Sequence, residues 1–145
     1  MSAIAQPMAV DRTDLQFDNS YNLSRNGLAS ELRRNPNMRK NLIHSNDKAA
    51  RKAVPGCRGR LIPGTMIAEK LDDYICGRYG PKYIIFAKEF TASFSGFFEP
   101  GDSVSFLISD EKFKCGFLFG KVEAFKNGKE VAITYQIKLG VVSHS

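Results

Sequence analysis

The sequence predicts an α+β protein in which an antiparallel sheet wraps around one central helix. Two observations predict this class: a single long helical stretch lies near the middle of the chain, and everything after it alternates as strands do. A helix followed by at least four antiparallel strands must bury its apolar face, and a sheet curled around the helix does so economically. A chain of 145 residues, 43% of them hydrophobic and 25% charged, can bury one such core.

The chain begins with a segment to which we assign no role. Residues 1–14 have the small and polar composition of a flexible N-terminus, and a single domain is predicted over residues 15–145. Leu15 and Phe17 alternate with polar residues, as in a short strand.

A short helix and a long basic excursion come next. Ser24 is a candidate N-cap, Leu28 and Leu32 lie four residues apart on one helical face, and the helix must end before Pro36. Residues 35–64 show no sustained period but hold seven of the 11 basic side chains of residues 1–60, so we predict a long, partly helical excursion. Excursions of this length are often functional.

The central helix is predicted over residues 65–79. Pro63 lies near its first turn, and a glycine followed by Pro81 stops it. The apolar residues that repeat at helical spacing are Ile67, Leu71, Tyr74 and Ile75.

The antiparallel sheet is predicted over residues 83–140. A Pro-Gly-Asp turn at residues 100–102 separates its first two strands, and Asn127 with Gly128 gives a strong hairpin signal. The predicted strand faces are Ile84, Phe86, Phe90, Ala92 and Phe94; Val104, Phe106 and Ile108; Phe113, Cys115, Phe117 and Phe119; and Val131, Ile133, Tyr135, Ile137 and Leu139.

Several classes of protein are excluded by composition. The N-terminal segment lacks the pattern of a signal peptide and no apolar run is long enough to span a membrane, so we expect a soluble, cytoplasmic protein. The three cysteines are widely separated, which indicates free thiols. Two histidines and these cysteines form no cluster with metal-ligand spacing, so no metal is expected, and no Gly-rich nucleotide-binding loop is present.

The positive charge is concentrated in the first half of the chain. Residues 1–60 carry 11 Lys or Arg against 5 Asp or Glu, whereas residues 61–145 carry 10 of each. Such a stretch suits an anionic partner, either a phosphate-bearing cofactor or an acidic carrier protein, or is a solvated face. Nucleic acid is not expected, because the basic stretch lacks interleaved aromatic residues and any known nucleic-acid-binding motif.

Three short motifs resemble those of known acyl-thioester enzymes. Residues 62–71, IPGTMIAEKL, resemble the start of the central helix in β-hydroxyacyl-ACP dehydratases, typically M-P-G-V-L-I-I-E-A-L. Residues 94–102, FSGFFEPGD, are similar to the F-x-x-P-V-x-P-G-D turn of dehydratases and MaoC-like hydratases. Residues 41–44, NLIH, resemble the N-P-I-H of MaoC-like (R)-specific enoyl-CoA hydratases, and residues 60–64, RLIPG, replace their R-I-A-H-G.

The resemblance covers about residues 15–140 and implies a hot-dog fold. It also implies a hydratase or dehydratase of fatty-acid metabolism that acts on acyl-CoA or acyl-ACP. Coenzyme A or phosphopantetheine would then enter as part of the substrate, with no separate cofactor. Members of these families are homodimers with the active site at the interface, so we expect a homodimer.

Two positions depart from the family patterns. The acid of the hydratase motif lies five residues before its histidine, and Arg39 stands there. The catalytic histidine of the dehydratase motif lies fourteen residues before its glutamate, and Pro55 stands there. What remains is His44 from one pattern and Glu69 from the other.

The resemblance therefore suggests a composite catalytic dyad of His44 and Glu69, within one subunit or across a dimer interface. Hydration needs a base, an acid and donors to the thioester oxygen. The backbone N–H groups of Gly64 and Thr65, at the start of the central helix, are candidates for these donors. Without such roles His44 is a loop histidine bonded to backbone, and Glu69 faces solvent on the far side of the helix from the core.

Two other functions stay open. An acyl-CoA thioesterase would need only Glu69 and the helix N-terminus. A non-catalytic acyl-thioester-binding protein would keep the fold and abandon the chemistry, as the substitutions at Arg39 and Pro55 suggest. Under that interpretation the cofactor phosphates are assigned to the basic residues Arg33, Arg34, Arg39 and Lys40.

Asp47 could replace the lost acid, although an exposed loop aspartate is the simpler interpretation. The Phe113–Phe119 face is expected to line the core or an acyl tunnel.

Overall fold

The computed structural model describes residues 19–144. The predictions for residues 1–14 and for a strand at Leu15 and Phe17 therefore lie outside the described residues. The elements of the described part are β1 (Tyr21–Asn22), α1 (Arg25–Arg34), α2 (Pro36–Arg39), α3 (Leu42–Ser45), α4 (Asp47–Ala53), α5 (Gly64–Tyr79), β2 (Tyr83–Phe94), β3 (Ser103–Lys114), β4 (Phe117–Lys126) and β5 (Glu130–Ser143).

The strands form one antiparallel sheet in the order β1-β3-β4-β5-β2, and α5 lies against its inner face. The helix predicted over residues 65–79 is thus confirmed. Its buried side chains are Met66, Ile67, Leu71, Tyr74, Ile75 and Tyr79. They meet inward-facing residues of the central strands, such as Phe106, Val122 and Ile137. Burial of this face is the main term that stabilises the fold. Among residues 19–144 there is no helix with the length and apolar character needed to cross a membrane.

The region before α5 forms four short helices, α1 to α4, where one short helix and a partly helical excursion were predicted. The Ser24 side chain accepts a hydrogen bond from the N–H of Gly27 at 2.9 Å, and α1 ends just before Pro36. Asn41 and Asn46 cap α3 and α4 in the same way. These helices cover a second, smaller apolar cluster formed by Ala50, Cys57 and Leu61, with Ile43, Val54 and Phe97 packed around it.

The face predicted for β2 is wrong at its first two positions. Ile85 and Phe90 both pack against the core although they lie five residues apart, because a β-bulge falls between Ile85 and Ala87. Ile84 and Phe86 therefore lie on the outer face and are 50% and 63% exposed.

The predicted strand face from Phe113 to Phe119 is also wrong. Phe113 belongs to the end of β3 and Phe117 to the start of β4. Cys115 and Gly116 between them have φ values of 54° and 82°, the conformation of a tight two-residue hairpin turn. Phe113 and Cys115 are exposed, so the four residues are not a continuous core or tunnel lining.

The hairpin predicted at Asn127 and Gly128 joins β4 to β5. Both residues have positive φ values, 54° and 69°, as this turn requires. On β5 the residues Ile133, Tyr135, Ile137 and Leu139 are buried on one face as predicted, and Val131 at its start is half-buried.

Candidate active site

His44 is held against the segment that leads into α5. Its Nδ1 lies 2.9 Å from the carbonyl oxygen of Leu61, and the N–H of Leu61 donates to the carbonyl of Ile43 at 2.8 Å. A carbonyl only accepts hydrogen bonds, so Nδ1 carries the proton of the neutral ring. The lone pair of the neutral imidazole is then on Nε2, which leaves that nitrogen able to accept a proton from a substrate.

The N-terminus of α5 begins three residues after Leu61. Gly64 is its first residue, and Pro63 before it provides no side-chain cap. Among residues 19–144 the N–H groups of Gly64 and Thr65 have no hydrogen-bond acceptor. Such free donors, together with the helix dipole, favour negative charge at this end of the helix.

Phe94, at the end of β2, bounds this helix terminus. A Cβ at position 64 would lie 3.3 Å from the Phe94 ring, so glycine leaves room between the ring and the helix. Phe94 is 62% exposed in the single chain. The helix terminus is thus lined on one side by an apolar ring that solvent can reach.

Glu69 lies further along α5 and does not join this group. Its side chain is exposed, and no residue from 19 to 144 forms a hydrogen bond or ion pair with it. No hydrogen bond links Glu69 to His44 in that part of the chain. The composite dyad stays a prediction. Of the predicted catalytic and oxyanion residues, the fold links His44, through its hydrogen bond to Leu61, with the segment that leads into Gly64 and Thr65.

Asp47 is already engaged by another residue. One oxygen of its carboxylate accepts hydrogen bonds from the backbone N–H of Arg60 at 2.9 Å and from the Arg60 Nε at 3.0 Å. The backbone hydrogen bond, followed by that of the guanidinium, lowers the pKa of Asp47. A carboxylate held in this way is a poor substitute for the missing acid.

The positions that depart from the family patterns are exposed. Arg39 ends α2, where its carbonyl accepts a hydrogen bond from the Ser45 hydroxyl at 3.1 Å, and Pro55 lies in the turn after α4. Of the four residues predicted to bind cofactor phosphates, all are exposed on α1, on α2 or just after it. Arg34 is paired with Glu31 on the same helix.

The turn at residues 94–102 holds the backbone segment that leads into α5. Gly101 adopts a φ of 101°, and its neighbour Asp102 accepts hydrogen bonds from the N–H of Glu99 at 2.8 Å and from the side-chain amide of Asn127 at 3.1 Å. The carbonyl of Phe98 in this turn accepts a hydrogen bond from the N–H of Ile62 at 2.8 Å. The motif therefore has a structural role: it fixes the segment before α5, which includes Leu61, the hydrogen-bond partner of His44.

One group of residues near the site was not assigned together from the sequence. A cavity of about 200 Å³ is lined by Arg25, Arg58, Gly59, Arg60, Glu99 and Pro100. Arg58 and Arg60 belong to the basic excursion, but nothing in the sequence pattern places Arg25 or the 99–100 turn beside them. Within residues 19–144 no group of three or more His, Cys, Asp or Glu side chains is arranged to hold a metal ion.

Comparison with known proteins identifies the fold. No protein-family model matches the sequence, and no curated protein does so either. Solved structures do match: the fold is the hot-dog fold of MaoC-like dehydratases and (R)-hydratases.

Three of these structures show the extent of the likeness. An (R)-hydratase from A. caviae involved in PHA biosynthesis is 15% identical with a TM-score of 0.60, over 88% of this chain and 97% of that one. An R-hydratase from Pseudomonas aeruginosa is 13% identical with a TM-score of 0.65, over 87% and 79%. A MaoC-like dehydratase from Rhodospirillum rubrum is 16% identical with a TM-score of 0.60, over 91% and 95%.

Proposed function

We propose that this protein binds acyl thioesters of coenzyme A or acyl carrier protein and interconverts enoyl and β-hydroxyacyl forms, with His44 as the acid–base residue. The observation that carries the proposal is the hydrogen bond between His44 Nδ1 and the Leu61 carbonyl. It sets the tautomer in which Nε2 can accept a proton, three residues from a helix terminus with free N–H groups. The fold shared with hydratases and dehydratases supports the same conclusion.

The chemistry would need only groups of this site. Nε2 of His44 removes a proton from water as its oxygen forms a bond to the β-carbon of the enoyl thioester. The electron pair of the double bond moves toward the thioester oxygen, where the N–H groups of Gly64 and Thr65 stabilise the charge. The imidazolium then returns its proton to the α-carbon, so the net addition is one water molecule. Dehydration follows the same steps in reverse.

Glu69 would take part only through a second copy of the chain. A dimer is supported by β2, a twelve-residue strand at one edge of the sheet whose outer side is unpaired among the described residues. Long unpaired edge strands pair readily with other strands. Phe86 and Phe94 on this strand are more than 60% exposed, and Phe94 also contacts the start of α5. A partner on this edge would therefore lie beside the candidate site.

The test follows the loss of enoyl absorbance with crotonyl-CoA and with longer enoyl-CoAs, with parallel detection of free thiol. It compares the wild type with His44→Ala and Glu69→Gln. We expect hydration by the wild type and a loss of at least about 100-fold in His44→Ala, the usual contribution of an acid–base group. Unchanged activity in His44→Ala would refute the assignment. Thiol release without hydration would instead identify a thioesterase.

A second function is favoured by one specific observation. The Asp47 carboxylate is bound by Arg60, and the position where hydratases carry their acid is taken by Arg39. His44 therefore has no carboxylate partner within the described chain. A protein that binds acyl thioesters without transforming them would show this arrangement. Recovery of unchanged acyl-CoA with the protein, and no hydration of any enoyl-CoA, would support this second function.

A further inference from the structure

The small cavity beside the candidate site has the composition of an anion site. Its walls bring together Arg25 from the start of α1, Arg58 and Arg60 from the segment before α5, and Glu99 from the turn that supports that segment. The three arginines come from parts of the chain that only the tertiary fold brings together. Guanidinium groups gathered at one cavity favour phosphate, which they bind with paired N–H donors.

Most of the hydrogen-bond donors of these arginines are free. Arg58 donates from its side chain to Glu99 through Nε at 3.2 Å, and Arg60 donates to Asp47 through Nε at 3.0 Å. Each guanidinium has five N–H groups, so four remain on each after these bonds. Arg25 has no hydrogen bond or ion pair to any residue from 19 to 144.

The backbone adds one further donor. Gly59 lines the cavity and is buried, and its N–H has no acceptor among the described residues. A buried N–H without a partner is unfavourable, and an anion in the cavity would satisfy it. Glycine is required here, because a Cβ at position 59 would come within 2.7 Å of the Asp47 carboxylate.

The carboxylates near the cavity do not cancel its charge. Glu99 is bound by the backbone N–H and the side chain of Arg58, and Asp47 is bound by Arg60. Asp102 also lies 3.7 Å from an Arg58 nitrogen, but the Lys126 ammonium at 3.9 Å balances it. With each carboxylate matched by one cation, the charge of Arg25 remains as the excess. The positive charge of Arg25 contributes to the lowered pKa of Asp47, which places it near this group.

The cavity lies within reach of the candidate site. Arg60 directly precedes Leu61, the residue whose carbonyl holds His44. Four peptide units join Arg60 to Gly64, so their Cα atoms are at most about 14 Å apart. A flexible phosphopantetheine arm can span this distance between a phosphate in the cavity and a thioester at the start of α5.

We propose that this cavity binds the phosphate of the acyl carrier, with Arg25 as its free cation and the Gly59 N–H as a backbone donor. The inference rests on the proposed function for its ligand. It assigns the phosphate to a different set of residues from the exposed Arg33, Arg34, Arg39 and Lys40 of α1 and α2.

The test measures binding of coenzyme A, 4′-phosphopantetheine and pantetheine by calorimetry to the wild type, Arg25→Gln and Lys52→Gln. Each variant removes one positive charge from an exposed helical position, and neither side chain has an ion pair among the described residues, so Lys52→Gln is the matched control. We expect Arg25→Gln to weaken binding of both phosphate-bearing ligands about fivefold to tenfold, Lys52→Gln to leave it unchanged, and pantetheine to bind equally to all three proteins.

The outcomes separate this inference from the proposed function. If only coenzyme A responds to Arg25→Gln, the cavity binds a nucleotide phosphate of coenzyme A; if 4′-phosphopantetheine responds as well, it binds the phosphate common to both carriers. Either result supports the inference even when no hydration is seen. Equal affinities of wild type and Arg25→Gln for coenzyme A would overturn it, with hydration activity left intact. Failure of every ligand to bind would overturn it too.

Discussion

Asp102 is expected to be the residue of the 94–102 turn that contributes most to stability. Its side chain is only 5% exposed, and it accepts hydrogen bonds from the Glu99 N–H and the Asn127 amide. It also lies 3.7 Å from an Arg58 nitrogen and 3.9 Å from the Lys126 ammonium. Hydrogen bonds to charged groups contribute about 1.5–3 kcal/mol each, so Asp102→Ala should destabilise the protein by about 3–5 kcal/mol.

Urea unfolding at matched protein concentrations measures this difference. Asp73→Ala is the control, because the carboxylate of Asp73 is exposed on α5 and forms no hydrogen bond among the described residues. Its removal should change the free energy of unfolding by less than about 0.5 kcal/mol. Since Asp102 fixes the turn that holds the Ile62 N–H, Asp102→Ala should also reduce ligand binding at the start of α5. A loss of less than about 1 kcal/mol would refute the structural role given to Asp102.

Three further predictions concern pH, the central helix and the sheet edge. The hydrogen bond from the Tyr79 hydroxyl, followed by that from the Arg78 guanidinium, lowers the pKa of Glu111 below its ordinary value of 4.5. The stability that these bonds provide is therefore fully present above pH 4.5 and is lost as the pH falls through the folded-state pKa. At pH values below about 4.5, the urea midpoint of the wild type should therefore decrease more steeply with falling pH than that of Glu111→Gln. Parallel curves for the two proteins would contradict this. Gly77→Ala should raise the free energy of unfolding by up to about 1 kcal/mol, because a Cβ there meets nothing within 4 Å and alanine favours the helix; an unchanged or lower urea midpoint would count against it. If β2 is the dimer edge, Phe86→Ser should lower the sedimentation mass toward the monomer. Phe113→Ser, which changes a phenylalanine on β3 that is 54% exposed against 63% for Phe86, should not, and the same mass for both would exclude the β2 edge.

The parts of the fold that follow from local patterns were predictable. Helical spacing from Ile67 to Ile75 places α5 within a residue of its observed start, because its apolar face is continuous and prolines flank both ends. The Asn127–Gly128 hairpin was equally clear, since few residues adopt positive φ.

The errors arose where the backbone breaks its own period. A bulge after Ile85 moves Phe86 to the outer face, and alternation alone cannot reveal a bulge. The turn at Cys115 was missed because cysteine is an unusual residue at a positive φ, and the apolar alternation continues across it.

The candidate site was predictable only in part. His44 and Gly64 were found through short motifs, whereas the structural role of Asp102 and the arginine cavity depend on contacts between distant segments. Arg25 and Arg58 are 33 positions apart in sequence and line one cavity, and no periodicity links them. Glu69 was proposed from a motif, and its side chain forms no hydrogen bond or ion pair among the described residues.

The kcat/KM for crotonyl-CoA hydration by wild type and by His44→Gln tests the central claim most directly. Glutamine keeps a hydrogen-bonding side chain at position 44 but cannot carry a proton between water and carbon. We predict measurable hydration by the wild type and a kcat/KM at least about 100-fold lower in His44→Gln, with the thermal stability of the two proteins alike. Equal rates in the two proteins, or no hydration by the wild type, would contradict the assignment of His44 as the acid–base residue.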